Sequence, residues 1–196
     1  MNRAPISLVL WVAAAGVATT AARSAAAGEE DRLAEGEILI LDKEVKGSSV
    51  PSVTVKAVVE QPPAKVWEVI NDCTQYPKTM VRVKASELIK QEGNKFTCKV
   101  LIDTPFPLSD LSAITEAVHT TGPPVWSRRW KLIEGDYEHN EGSWEISVFR
   151  KDPKRSLVIY KVHAVPNIFV PGALQSYVQK KSLPGLIEKL RKVSAQ

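Results

Sequence analysis

The sequence predicts an α+β domain in which a curved antiparallel sheet wraps around a long C-terminal helix, with two short helices after the first strands. Two segments rich in β-branched residues, 37–45 and 50–60, come first and can form a hairpin. Six further segments alternate apolar and polar residues, and turn-rich breaks between them indicate an antiparallel meander. Residues 171–193 place apolar side chains at helical spacing and predict the terminal helix. The six segments of the meander are residues 81–90, 95–103, 111–120, 125–134, 142–150 and 156–165.

Length and composition indicate one ordinary domain with its own core. The chain has 196 residues, of which 44% are hydrophobic and 24% are charged. It contains 26 Lys and Arg residues and 22 Asp and Glu residues, which gives a net charge of +4. Arg3 and Arg23 lie in the first 27 residues, which contain no acid, so the remainder carries 24 against 22, or +2. A balance this even argues against a nucleic-acid partner.

The N-terminal segment has the layout of a secretory signal peptide. Arg3 precedes an apolar stretch at residues 6–17, and small residues follow at 24–27. Charge, apolar stretch and small residues in this order are typical of a cleaved export signal. The sequence therefore divides into a signal peptide, residues 1–27, and a ligand-binding domain, residues 28–196.

Cleavage is expected after residue 27, with an earlier cut near residue 22 as the alternative. An uncleaved membrane anchor is the competing interpretation, but the uncharged stretch at 4–22 is marginal against the ~20 residues that a bilayer needs. We expect an exported chain, periplasmic or secreted, with no membrane span after cleavage.

The two cysteines, Cys73 and Cys98, leave two interpretations open. In an oxidising compartment they could form a disulfide. As two small buried hydrophobic residues they would stay unpaired, and this interpretation is slightly favoured. Spacing does not decide between them, because a disulfide requires Cα atoms within ~7 Å.

Prolines and polar residues mark the ends of the helices. Pro62 and Pro63 end the second strand and begin a helix at 63–71, since proline is tolerated in the first helical turn. A second short helix is expected at 76–80. Pro184 predicts a kink or break near residues 182–183 of the terminal helix. The charged residues 28–35 are expected to be frayed or to form a single helical turn.

Alternation along the strands assigns side chains to the inner face of the sheet. The inner residues are Phe96, Cys98, Val100 and Ile102; Trp126, Arg128, Trp130 and Leu132; Trp144, Ile146 and Val148; and Val158, Tyr160, Val162 and Ala164.

Arg128 is the charged residue of this set, on the same face as Trp126 and Trp130. Burying an unpaired charge is costly, so the guanidinium needs a partner. It could anchor an anionic or carbonyl group of an otherwise apolar ligand. It could instead form a structural ion pair, with Glu87 as a candidate, or stack on Trp with its charged end in water. Structural pairs are common, and we favour this second interpretation.

The inner aromatic residues are candidates for ligand contact, although such residues also simply fill cores. The predicted ligand-binding residues are Phe96, Cys98, Trp126, Arg128, Trp130, Trp144, Tyr160 and Tyr177.

The sequence predicts no metal site, no cofactor and no catalytic set. His119, His139 and His163 lack the spacing of metal ligands, and no HExxH, GxSxG, P-loop or GxGxxG motif is present. His139 is expected in a solvated turn at 136–140, and His163 on the outer face of its strand.

Three stretches resemble the START-like (SRPBCC, helix-grip) superfamily and its polyketide cyclase/dehydrase and lipid-transport group. They are residues 55–72 (VKAVVEQPPAKVWEVIND), residues 133–136 with 140–144, and residues 166–171 before the final helix with its Leu-Arg-Lys end. The likeness spans about residues 36–193. It implies a sheet of seven or slightly more strands that grips the C-terminal helix around a hydrophobic cavity for lipids, sterols or polyketides. Catalytic residues vary among its subgroups, and none is carried over.

These observations favour an exported protein that holds a lipid-like or aromatic hydrophobic molecule in a cavity between the sheet and the C-terminal helix. The alternative is a cyclase, dehydratase or hydrolase that uses the same cavity, with Arg128, Tyr160 or His163 as polar groups. A protein-interaction module with a closed groove is a third possibility, and it would expose an apolar patch. Ligand identity and oligomeric state stay open.

Overall fold

A computed structural model describes residues 28–106, 108–172 and 181–196 of the chain. The strands in these residues are β1 (Leu39–Lys43), β2 (Ser52–Val59), β3 (Val83–Glu92), β4 (Lys95–Ile102), β5 (Leu111–Thr120), β6 (Val125–Gly135), β7 (Tyr137–Phe149) and β8 (Asp152–Pro166). The helices are α1 (Glu29–Ala34), α2 (Pro63–Asn71), α3 (Tyr76–Thr79) and α4 (Leu183–Ser194), and a 3₁₀ turn occupies Cys73–Gln75. No helix in the described ranges is long and apolar enough to cross a membrane. The predicted signal peptide, residues 1–27, lies outside them.

The eight strands form one antiparallel sheet in the order β1-β2-β8-β7-β6-β5-β4-β3. Strands β3 to β8 follow one another as a meander, because short turns join neighbouring strands. The first hairpin adds to the end of this meander through the pairing of β2 with β8, where Val53 lies opposite Val162. Helices α2 and α3 carry the chain from β2 to the far edge at β3. The predicted α+β architecture of sheet and C-terminal helix is confirmed.

The strands β7 and β8 are longer than the sequence pattern predicts. They begin at Tyr137 and Asp152, so parts of two segments interpreted as turns belong to the sheet. The ladder continues because Tyr137 pairs with Pro166 at one end and Phe149 with Asp152 at the other. The added residues are mostly polar, and polar residues occur both in turns and in exposed strands. The sequence pattern therefore did not distinguish the two.

Two helices cover the inner face of the sheet. Helix α2 packs across β6, β7 and β8, and α4 packs against α2, α3 and β2. Val66 and Ile70 of α2 and Ile187 and Leu190 of α4 are buried in the core. Pro184 lies in the first turn of α4, where a missing N–H is tolerated. The preceding part of the predicted helix, residues 173–180, lies outside the described residues.

The outer face carries a small second core under α1. Leu33 of this helix packs with Leu39, Val58 and Phe149. Helix α1 is therefore docked on the sheet, because its one leucine among charged residues packs into an apolar site.

One residue at the end of β7 is exposed although the pattern assigns it to the inner face. Val148, predicted on the inner face, is 41% exposed, whereas Phe149 is buried under α1. The pairing with β8 changes register between these two residues.

Cys73 and Cys98 form a disulfide, with their Cα atoms 6.5 Å apart. The bond joins the 3₁₀ turn to β4. The slightly favoured interpretation of two unpaired cysteines is therefore wrong. The two residues are 25 positions apart, and only the packing of the turn against the sheet brings them together.

Candidate functional site

A cavity of about 440 Å³ lies between the inner face of the sheet and helix α4. Every strand from β2 to β8 contributes residues to its lining, together with α3, α4 and adjoining loops. The lining is mostly apolar, with Val100, Ala113 and Val162 on the sheet side and Leu183 and Leu186 on the helix side.

The cavity exists because the sheet is wider than the helices that cover it. Eight strands at a spacing of about 4.8 Å span roughly 34 Å. Two helices, each about 10 Å across with side chains, cover roughly 20 Å of that width. Helix α2 fills one end of the inner face, and the remaining end stays open beneath α4.

Three aromatic side chains in contact form one wall of the cavity. The ring of Tyr160 lies between Trp130, at 5.9 Å between centroids, and Trp144, at 4.4 Å. The Trp130 indole N–H donates a hydrogen bond to Oδ1 of Asn140 at 3.1 Å. Gly142 lies opposite Trp130 in the register, and a Cβ there would approach the Trp130 ring within 2.4 Å. The absence of a side chain at Gly142 lets the indole lie flat against the strand.

Arg128 lines the cavity and is only 3% exposed. Its Nη1 donates a hydrogen bond to Nε2 of His119 at 2.6 Å, and its Cζ lies 5.7 Å from the centroid of the Tyr76 ring. Within the described residues no carboxylate forms an ion pair with it, and the segments outside them contain no Asp or Glu. The favoured interpretation of Arg128 is therefore wrong in both forms, because Glu87 is exposed on β3 and the guanidinium is out of water.

His119 is buried beside Arg128 in an aromatic environment. Its ring stacks on Phe96 with a centroid distance of 4.0 Å and meets the edge of Trp67 at 5.1 Å. Burial, and next the positive charge of Arg128, lowers the pKa of His119 to about 4. The imidazole is therefore neutral at pH 7. Its Nε2 accepts from Arg128, so the ring hydrogen lies on Nδ1.

The tyrosines of the cavity are neutral hydrogen-bonding groups. Burial raises the pKa of Tyr160 well above its ordinary value and that of Tyr137 to about 12. The Tyr76 hydroxyl donates to the carbonyl of Ile70 at 2.8 Å. The hydroxyl of Tyr160 forms no hydrogen bond with another described residue, so it is available to an occupant of the cavity.

Four of the predicted ligand-binding residues, Arg128, Trp130, Trp144 and Tyr160, line the cavity. Phe96, Cys98 and Trp126 do not. Phe96 lines a separate cavity of about 400 Å³ beside His119, Cys98 is in the disulfide, and Trp126 packs against the core. These three placements share one cause, since α2 and the disulfide-linked turn occupy that end of the inner face. Tyr177 lies outside the described residues.

The sequence analysis missed His119 and Asn140 as inner residues. On β5 the side chains of 111, 113, 115, 117 and 119 are all buried, so the period-two pattern does reach His119. Asn140 lines the cavity from a segment that was interpreted as a turn. Extending the alternation of β7 backwards from Trp144 would have placed Asn140 on the inner face.

The expectation that His139 lies in a solvated turn is wrong. His139 lies in β7, where its ring is 4.7 Å from that of His163 on β8. With Glu141 these residues bring three metal-ligating atoms within 4.8 Å of one another. The linear spacing conceals this cluster, because His163 comes from the neighbouring strand.

Comparison with known proteins identifies the family. Residues 59–191 match the family model described as polyketide cyclase / dehydrase and lipid transport. A search of curated protein sequences finds no significant match.

Solved structures share the fold at low identity. A fragment of a STAR-related lipid transfer protein from Xanthomonas axonopodis aligns with a TM-score of 0.69 and 20% identity, over 81% of this chain and 94% of that one. Human StAR-related lipid transfer protein 5 aligns with a TM-score of 0.69 and 12% identity, over 82% and 83% of the two chains. An aromatase/cyclase from Streptomyces sp. R1128 gives 0.55 and 15%, over 80% and 94%. Since the family model spans well over half of its length, the chain belongs to the polyketide cyclase/dehydrase and lipid transport family.

Proposed function

We propose that the chain is an exported binding protein for an apolar small molecule that carries an anionic or carbonyl group. The observation that carries this proposal is the guanidinium of Arg128, buried in a mostly apolar cavity without a carboxylate partner among the described residues. The apolar body of the ligand would occupy the cavity, and its polar group would meet Arg128.

The electrostatics of Arg128 favour a ligand with an acceptor group. A guanidinium has five N–H donors and stays charged under all ordinary conditions. His119 accepts one hydrogen bond and brings no negative charge. Leaving a buried charge uncompensated costs several kcal/mol. A carboxylate, phosphate or carbonyl oxygen from a ligand would supply the missing acceptor through a short, charge-assisted hydrogen bond.

The volume and the aromatic wall suit a lipid-like or aromatic molecule. Cavities that bind small ligands typically measure about 300–1,000 Å³ and combine apolar walls with a few polar groups. The rings of Trp130, Tyr160 and Trp144 offer flat surfaces to an acyl chain or a fused ring. The Tyr160 hydroxyl can donate a further hydrogen bond.

Export is supported by two independent features. The N-terminal pattern of Arg3, the apolar stretch and the small residues is typical of a signal peptide. The disulfide between Cys73 and Cys98 suits an oxidising compartment, where such bonds persist.

The alternative function as a cyclase or dehydratase has less support from the geometry. His163, one of its candidate groups, lies on the outer face of the sheet and not in the cavity. Arg128 and His119 lie within hydrogen-bonding distance, but Nε2 of His119 already accepts from Arg128. A pKa of about 4 also makes this imidazole a weak base at neutral pH. Binding is therefore the function we propose.

The test begins with the molecule that the protein retains. Chain expressed with its leader is purified under mild conditions, and native mass spectrometry and solvent extraction are used to find a bound apolar compound. Emptied protein is then titrated with a fluorescent fatty acid and with the fatty alcohol of the same chain. We expect the acid to bind more tightly than the alcohol. Arg128→Met should lower the affinity for the acid at least tenfold and change the affinity for the alcohol by less than threefold.

Arg129→Met is the matched control, because Arg129 is the exposed neighbour that pairs with Glu145 on the outer face. It should leave both affinities unchanged. Failure to retain or bind any apolar compound, or equal losses in the two Arg variants, would contradict the proposal.

A further inference from the structure

The outer face of the sheet brings three potential metal ligands together, on the side opposite the cavity. Glu141 of β7 lies directly across from His163 of β8 in the strand register. His139 precedes Glu141 by two residues and therefore projects from the same face. The rings of His139 and His163 are 4.7 Å apart, and one ligand atom from each of the three residues lies within 4.8 Å of the others.

The imidazole of His139 contains a buried nitrogen that lacks a hydrogen bond. Its Nε2 is out of contact with water and has no hydrogen-bond partner among the described residues, while Oε1 of Glu141 lies 3.3 Å away. Most buried polar atoms are hydrogen-bonded, so an exception calls for an explanation such as an ion. A cation between this nitrogen and the carboxylate would supply it.

The ring of His163 is held so that its other nitrogen is free. Its Nε2 lies 3.1 Å from the carbonyl oxygen of Val50 and 3.1 Å from Oγ of Ser48. The Ser48 hydroxyl donates its own hydrogen to Val50 at 2.9 Å, and a carbonyl oxygen only accepts. Nε2 of His163 therefore carries a hydrogen and donates it, which leaves the lone pair of Nδ1 available.

This arrangement is the one that metal-binding histidines usually show. Such a histidine donates its second ring N–H to a carbonyl or carboxylate, which orients the ring and fixes its tautomer. Here the turn between β1 and β2 supplies the carbonyl.

We propose that His139, Glu141 and His163 bind a divalent transition-metal ion, for which Zn²⁺ is the probe. Two imidazole nitrogens and one carboxylate oxygen are ligands that Zn²⁺ prefers, and a water would complete a tetrahedron. Ligand atoms around Zn²⁺ lie about 3.4 Å apart, given bond lengths of about 2.0–2.2 Å. The ligand atoms lie within 4.8 Å of one another, so some of them must move closer by about an ångström. The side chains of His139 and Glu141 are 43% and 58% exposed, so they have room to rotate and close this distance.

The experiment is a Zn²⁺ titration of the full mature chain after removal of any histidine tag. Imidazole resonances from ¹⁵N-labelled histidine report each ring separately. The signals of His139 and His163 should shift with one equivalent of Zn²⁺, and the signal of the buried His119 should stay in place as an internal control. Calorimetry should give a stoichiometry of one.

The substitutions separate a metal site from a structural pair. We expect His139→Ala and Glu141→Gln each to weaken Zn²⁺ binding at least tenfold. Glu138→Gln removes an exposed carboxylate beside the cluster and should leave the affinity within twofold. The side chain of His139 makes no hydrogen bond within the described residues, so His139→Ala should keep the fold, which thermal melting without metal would check.

Two results would overturn the inference. One is the absence of Zn²⁺ binding by the unsubstituted chain at 100-fold molar excess. The other is binding that survives in both His139→Ala and Glu141→Gln.

Discussion

The guanidinium of Arg128 donates a hydrogen bond to Nε2 of His119 across 2.6 Å, so a buried positive charge is held by a group that has no charge of its own. The pairing orients the guanidinium at the wall of the cavity without neutralising it. A carboxylate in place of the imidazole would have satisfied Arg128 inside the fold. In the proposed function, the neutral partner keeps the charge available to a ligand.

The first prediction concerns the stability of the protein in acid. His119 has a pKa of about 4 in the folded chain and an ordinary value of 6.5. The unfolded chain therefore binds more protons between these pH values, and the free energy of unfolding falls as the pH falls from 6.5 towards 4. The largest contribution that this shift allows is about 3 kcal/mol, and above pH 6.5 it no longer varies with pH. Urea unfolding at several pH values measures it.

His119→Gln isolates this contribution from that of the carboxylates. The Gln amide oxygen can accept from Arg128 but does not titrate, so the variant should lose less stability between pH 6.5 and 4. If the free energy of unfolding depends on pH in the same way in both proteins, His119 is not the group responsible for the loss of stability in acid.

The second prediction concerns the contact between Gly142 and Trp130. Gly142→Ala places a Cβ within 2.4 Å of the Trp130 ring and 2.3 Å of the Lys161 carbonyl oxygen. The indole must move, and overpacking of this kind costs about 1–3 kcal/mol. Denaturant unfolding should show the loss, and the Trp fluorescence of the folded state should change.

Gly185→Ala provides the control, because a Cβ at this helical position meets nothing within 4 Å. It should be neutral or stabilise the chain by about 0.5–1 kcal/mol, as alanine does in helices. Equal effects of the two substitutions would mean that the Trp130 contact is unimportant.

The third prediction concerns the disulfide. Replacing Cys73 and Cys98 together by Ala removes a cross-link that closes a loop of 25 residues. The loop-entropy relation assigns such a loop about 3.5 kcal/mol of stabilisation. Urea unfolding of the double variant should show a loss of this order, and reduced wild-type protein should behave in the same way. The disulfide lies beside α2 and not in the cavity, so the affinity of the double variant for the fatty acid should stay within threefold of that of the unsubstituted protein.

The fourth prediction tests whether the open end of the inner face is the binding volume. Ala164→Phe adds a ring at a residue that lines the cavity. It should weaken fatty-acid binding at least tenfold and lower the free energy of unfolding by less than about 1 kcal/mol, because the ring enters existing space. Val118→Phe, at an exposed position on the outer face, should leave binding unchanged. An unaffected affinity in Ala164→Phe would place the ligand elsewhere.

Local pattern was sufficient to predict most elements of the fold. The change from helical to period-two spacing after residue 80 distinguishes α2 and α3 from the meander, and turn residues separate its strands. Pro63 begins α2 because the first helical turn needs no N–H from it. Alternation also placed Arg128, Trp130, Trp144 and Tyr160 on one face, since successive side chains on a strand point in opposite directions.

What the sequence by itself determined, then, was the order of helices and strands, most of the inner face and the resemblance to a family. The tertiary structure alone decided which end of that face α2 covers, that Cys73 reaches Cys98, that Arg128 meets His119, and that His139 meets His163. These are contacts between segments distant in the chain. They depend on strand register and on how the helices pack, and neither property is encoded in the spacing of residues along one strand.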